Sequence, residues 1–204
     1  KYLAPAFMDG HMHIESSMLT AGEYARAVIP HGTSGIFFDP HEICNVKGLE
    51  GVKNMLKDAE TTPLKAMLTT PSCVPAVPGF EDTGSAIHPE DVKETMKWKE
   101  CVGLGEMMNF PGIVNSDKHT HDIVGETLDA DKAVTGHFSI PETGAMLNAY
   151  IAAGMNCCHE STTEQSALEK MRRGMYAQLR EGSAWHDLKE VAKAVTKHKV
   201  DTRF

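Results

Sequence analysis

The sequence predicts an α/β protein built on a parallel sheet. Short apolar runs alternate with capped, amphipathic stretches about seven times from end to end, the pattern that successive βα units leave in a sequence. The 204 residues divide into seven units of about 29 residues each, close to the spacing of a TIM-type (β/α)8 barrel, whose eight units take roughly 250 residues. Side chains that hold metal or move protons also recur just after the apolar runs. In parallel folds the strands' carboxyl ends form the mouth where chemistry is done.

The expected strands are Ala4–Met8, Ile36–Phe38, Lys65–Leu68, Val102–Leu104, Ala133–Thr135, Met155–Cys158 and Tyr176–Leu179. Between the first two, Thr20 and Glu23 form a capping-box pair opening a helix that Pro30 and Gly32 close. Val52, Met55, Leu56 and Ala59 make the apolar stripe of a second helix. Pro89 suits the first turn of a third, running to about Lys97. Ser116–Leu128 is polar, contains Gly125 and reads as a weakly signalled fourth helix. Met146, Leu147, Tyr150 and Ile151 line a fifth, ended by Gly154, and Thr162 with Gln165 caps a sixth carrying Leu168, Met171 and Met175. Leu188, Val191, Ala192 and Val195 fall on one face of a last helix.

Residues 1–204 therefore read as one barrel domain without linker, repeat or low-complexity tract, apparently truncated after the seventh βα unit. A barrel lacking its eighth strand leaves two unpaired edges, so association into a homo-oligomer is expected.

Composition narrows the function. Twenty Lys and Arg against 28 Asp and Glu give a net charge of −8, which leaves little with which to neutralise a nucleic-acid backbone. With 41% hydrophobic and 24% charged residues the chain reads as an ordinary globular protein. No apolar run approaches the roughly 20 residues needed to cross a bilayer. Five Cys make no disulfide framework and fit a reducing, cytoplasmic setting. Eleven His is the unusual count, and it points to metal or proton chemistry.

The candidate residues follow the strands in order. His11 and His13, two apart at a strand end, can face one side and chelate a single divalent ion; the plain alternative is a pair of partly exposed imidazoles. Asp39-Pro40-His41-Glu42 follows the second strand and Pro71-Ser72-Cys73 the third. Glu106 lies in the apolar, glycine-rich run Gly103–Met108, where a carboxylate is costly unless paired or metal-bound. His137 follows Gly136, His159 follows Cys158, and Arg180-Glu181 follows the seventh strand. Each His alone reads more readily as a core residue bonded to a backbone carbonyl, and Glu106 alone as the partner of a neighbouring Lys or Arg; their recurrence at strand ends is the signal. The remaining His, including His119 and His121, read as structural or surface residues. No zincin helix, Pro-Cys-x-x-Cys, phosphate-binding glycine loop or Gly-x-Ser-x-Gly elbow is present.

These residues resemble the adenine deaminases of the amidohydrolase superfamily, a similarity that runs through nearly the whole chain. It rests on His11-Met12-His13-Ile14-Glu15-Ser16-Ser17, Asp39-Pro40-His41-Glu42-Ile43, Pro71-Ser72-Cys73-Val74-Pro75-Ala76, Gly105-Glu106-Met107-Met108, Gly136-His137, Leu147-Asn148-Ala149-Tyr150-Ile151, Cys158-His159-Glu160-Ser161 and Arg180-Glu181-Gly182-Ser183-Ala184. The resemblance implies hydrolysis of a purine substrate, adenine, to hypoxanthine and ammonia at a two-metal site. His11 and His13 would hold one ion, Glu106 would bridge, and His137 and His159 would hold the second, with manganese or iron expected and zinc as a further occupant. Glu15, His41, Ser72 and Arg180 would contact substrate or support the ligands. On this resemblance the family's metal-binding, proton-shuttling Asp after strand eight and its small flanking domains are expected to be absent from residues 1–204; Asp201 precedes the expected place of that Asp. Phe138-Ser139-Ile140-Pro141 stands where the family has a Pro-Gly turn, and Ala6 where Gly is usual. The rival readings are a deacetylase or cyclic-amide hydrolase on the same ligand set, or an inactive metal- or purine-binding chain.

Overall fold

A computed structural model of the chain describes residues 2–200; Asp201 lies outside the described residues. The chain divides into two compact units that meet in sequence between Gly105 and Glu106.

The first unit carries β1 (Phe7–Met12), α1 (Ala21–Val28), β2 (Thr33–Phe38), α2 (His41–Ala59), β3 (Lys65–Thr70), α3 (Pro89–Thr95) and most of β4 (Cys101–Met107). Its strands pair in chain order and in parallel, with Phe7 opposite Thr33, Gly35 opposite Lys65 and Leu68 opposite Cys101. Parallel pairing of consecutive strands requires a crossover after each one, which is why a helix or a long loop separates them. Ile36, Phe38, Leu68 and Leu104 are fully buried strand residues, and Val52 and Val92 are among the fully buried helix residues.

Two local features here differ from expectation. The first strand is Phe7–Met12 and not Ala4–Met8, so His11 lies within the strand. Its apolar start misleads because Phe7 and Met8 are 76% and 54% exposed, while register with β2 and a bulge between Asp9 and Met12 carry the strand on through Gly10 and His11. The second helix contains the expected stripe Val52, Met55, Leu56 and Ala59 and extends back to His41, with a kink at Gly48 (φ 58°, ψ −150°) that separates the stripe from the first turns. That backbone conformation favours glycine, and a Cβ there would also stand 2.6 Å from Ser85 Oγ. The capping of α1 is as expected: Thr20 Oγ1 accepts from the Glu23 amide.

The second unit carries the end of β4, then α4 (Phe110–Val114), α5 (Lys118–Asp129), β5 (Ala133–Gly136), α6 (Ala145–Ala152), β6 (Met155–Cys158), α7 (Glu164–Arg172), β7 (Tyr176–Ala177), α8 (Leu188–Val191) and α9 (Lys193–Thr196). β5, β6 and β7 are again parallel and in chain order. The polar α5 forms because Asp117 caps it, accepting from the Thr120 amide, and because Ile123, Val124 and Thr127 supply a buried face. Thr163, and not Thr162, caps α7 by accepting from Ser166 N. The last strand is shorter than expected, Tyr176–Ala177. The last helix is split into α8 and α9, whose Val191 and Ala194 pack on Ala167 and Leu168 of α7.

Candidate metal centre

Each unit gathers imidazole and carboxylate groups where its strands end. In the first unit, His11 Nε2 and His13 Nε2 are 3.2 Å apart. His13 Nδ1 donates to the backbone carbonyl of Asp39 at 2.8 Å. A carbonyl only accepts, so the Nδ1 of His13 carries the proton and its Nε2 lone pair is left to face His11. Orientation of a ligating imidazole by a carbonyl at its other nitrogen is how metal sites fix the tautomer.

Asp39 is fully buried at the end of β2. It fits because residue 105 is glycine: a Cβ there would lie 2.2 Å from Asp39 Oδ2 and 2.8 Å from the Thr70 carbonyl oxygen. His41 opens α2, its ring 4.6 Å from that of His13, its Nδ1 3.7 Å from Asp39 Oδ1 and its Nε2 3.7 Å from Glu42 Oε1. Glu15 Oε1 accepts from the Ile43 amide in the first turn of α2, and Glu15 Oε2 is buried without a hydrogen-bond partner. Burial, with the Glu42 and Asp39 carboxylates adding to it, pushes the Glu15 carboxyl up to about 7. Ser72 is buried beside Cys73, Oγ to Sγ 3.3 Å. Asp39 and Glu42 belong to the Asp39-Pro40-His41-Glu42 stretch after β2, and the acids flanking His41 are their signal in the sequence.

In the second unit, Glu106 is the penultimate residue of β4 and only 3% exposed. His137 Nδ1 lies 2.6 Å and His159 Nε2 2.9 Å from the same Glu106 oxygen, Oε2, and the two nitrogens are 3.2 Å from each other. Three donor atoms from three strand ends thus converge on one point. Carboxylate and imidazole groups crowd in this way around a divalent ion. Glu160, the second residue of the His159-Glu160 pair that follows β6, joins them, its Oε1 3.5 Å from His159 Nε2 and its Oε2 3.8 Å from His137 Nε2. Its carboxylate accepts from Arg180 Nη1, and Arg180 Nη2 donates to Asp187 at 2.9 Å. Arg180 therefore reaches this cluster through Glu160.

Tyr150, expected only as an apolar face residue of α6, does more. Its hydroxyl donates to the Met107 carbonyl at 2.6 Å and accepts from the His137 amide at 2.9 Å. The chain just past Glu106 is thereby joined to His137 itself.

A model of the amidohydrolase family matches residues 2–203, across both units. The chain belongs to the amidohydrolase family. Its seven parallel strands are those of the family's TIM-type (β/α) barrel. This amidohydrolase is 70% identical over its whole length to a Clostridium botulinum protein named adenine deaminase. It is 54% identical over 202 residues to the adenine deaminase of Moorella thermoacetica and 48% identical over 202 residues to adenine deaminase 1 of a Jannaschia species. It spans about a third of those relatives' length, 34% in each case. Among the described residues no helix is long and apolar enough to cross a membrane.

Proposed function

We propose that this amidohydrolase deaminates adenine hydrolytically, giving hypoxanthine and ammonia, and that residues 1–204 act as its catalytic domain. The observation that carries the reading is the convergence of Glu106 Oε2, His137 Nδ1 and His159 Nε2 within 2.6–3.2 Å, in a chain 70% identical to a protein named adenine deaminase.

In this reading His11 and His13 hold one divalent ion, and Glu106, His137 and His159 hold another. Manganese or iron is the expected occupant, with zinc also suited, because imidazole and carboxylate do not discriminate sharply among them. Such ions, when bound, supply a nucleophilic water at neutral pH and polarise the group it attacks.

The chain's own residues do the rest. Asp39, through its carbonyl, keeps the His13 proton on Nδ1 and turns Nε2 toward its partner. Tyr150 fixes the His137 backbone against the end of β4, so that the imidazole need not reorganise when it is used. Arg180 holds Glu160 against the two imidazoles and supports them; Glu15, His41 and Ser72 are proposed to face the substrate or brace the ligands. We place the protein in the cytoplasm, as a homo-oligomer acting on a small purine.

A substrate panel tests the reading. Protein loaded with Mn2+ is offered adenine, a cyclic amide and an N-acetylated sugar, and hypoxanthine, ring opening and acetate are measured. Release of hypoxanthine, abolished by Glu106→Ala, is the expected result. Turnover of the amide or acetyl compound without adenine turnover would overturn it.

A further inference from the structure

A lysine is buried beneath the second cluster. Lys170 of α7 is 1% exposed, on a helix face whose other buried members include Ala167 and Leu168. Its Nζ donates to the Phe138 carbonyl at 3.2 Å and to Ser161 Oγ at 3.1 Å. Both partners are neutral oxygens. Removing an ammonium from water costs several kcal/mol even after relaxation, and two neutral acceptors do not return what a carboxylate partner would. Met would fill the same space without that cost, so packing alone does not account for a lysine here.

The two acceptors give the account. Phe138 directly follows His137, and Ser161 stands two residues after His159. One ammonium is therefore shared between the segment that leaves β5 and the segment that leaves β6, each carrying an imidazole of the cluster. Ser161 is itself 1% exposed and accepts a second bond, from Ser166 Oγ at 3.4 Å. Phe138 is fully buried, with its amide 3.3 Å from Cys158 Sγ. Lys170, Phe138 and Ser161 are thus all buried, and the two acceptors described for the ammonium are uncharged.

We propose that Lys170 is a positioning residue for ion binding: by tying the Phe138 carbonyl to Ser161 it sets the spacing and aim of His137 and His159 around Glu106. The inference rests on the reading of Glu106, His137 and His159 as ligands, and goes beyond it in assigning the ligands' geometry to a group that touches none of them. Loss of a residue that orients ligands typically weakens metal affinity by about 10- to 100-fold.

The test uses Co2+ as the probe in a His13→Ala background, so that loading reports the second cluster. Co2+ affinity, the visible Co2+ spectrum and metal-free thermal stability are compared for that protein, for the same protein with Lys170→Met, and for the same protein with Ser161→Ala. The expected result is a metal-free midpoint for Lys170→Met that is unchanged or raised, a Co2+ affinity about tenfold or more weaker, and an altered spectrum. Ser161→Ala, which leaves the lysine in place, is expected to weaken binding in the same direction by a smaller factor. A folded Lys170→Met protein with unchanged affinity and spectrum overturns the inference while leaving the ligand assignment intact. If Lys170→Met does not fold, Ser161→Ala decides, and unchanged affinity there overturns it. If the His13→Ala protein binds no Co2+, the ligand assignment itself fails and the inference falls with it.

Discussion

His13 donates its Nδ1 proton to the main-chain carbonyl of Asp39 at 2.8 Å, so one residue at the end of β2 decides which nitrogen of His13 is left to bind. The side chain of Asp39 is fully buried in a space that only glycine at position 105 leaves open. A strand-end imidazole, a buried acid and a glycine on a distant strand are therefore one structural device.

Gly105→Ala is the direct probe of that device. Its methyl group would meet Asp39 Oδ2 at 2.2 Å and a backbone oxygen at 2.8 Å, and backbone cannot yield as a flexible side chain can. The expected cost is about 1–3 kcal/mol, the range for overpacking a close-packed interior, read as a lower denaturation midpoint. Ion affinity at His11 and His13 is expected to fall with it. An unchanged midpoint would show that Asp39 moves aside without loss.

Tyr150→Phe removes one hydroxyl and leaves the ring in place. Two backbone groups, the buried Met107 carbonyl and the partly buried His137 amide, lose their described partner. Leaving such groups unsatisfied costs about 1–3 kcal/mol, measurable by urea denaturation. Because the His137 amide is one of them, metal affinity is expected to weaken in the same variant.

Two thiols give a pH prediction. Burial pushes the Cys44 thiol up to about 12 and the Cys157 thiol up to about 11, against about 8.5 in an unfolded chain. The folded state thus holds the neutral thiol where the unfolded state has lost its proton. That contribution to stability is complete below about pH 8.5 and is lost as pH rises toward the folded values. Cys44→Ala is expected to flatten the decline in melting temperature between pH 9 and 11. In the native protein, alkylation of both thiols at pH 8 is expected to be orders of magnitude slower than in urea, since only the thiolate reacts. Rapid native labelling at Cys157 would contradict the burial argument.

The architecture was legible because parallel βα units repeat a strong signal. The alternation marks seven strands, six of them in place and the first shifted, and Thr20 with Glu23 marks the start of α1. What failed were places where tertiary contacts override local pattern. β1 was misplaced because its apolar residues Phe7 and Met8 are exposed while the ladder with β2 continues through His11. The stripe of α2 shows only beyond Gly48, which resets the helical phase, and α4, a short helix capped by Asn109, is too short to show a period. In the candidate site, His11, His13, Glu106, His137 and His159 stand out in the sequence because each is a chemically distinctive residue at or near a strand end. Tyr150 and Lys170 were not, since each acts from a helix on backbone carbonyls, and no sequence motif records which carbonyl a side chain will reach. Glu160 was obscured by standing next to His159.

The central claim is that these residues bind divalent ions, and metal content per chain, by elemental analysis of protein purified without chelator, tests it most directly. The account predicts about two ions per chain, falling by at least one on Glu106→Ala with the fold retained. Protein that carries no metal, and takes up none on dialysis against Mn2+, Fe2+ or Zn2+, would contradict it.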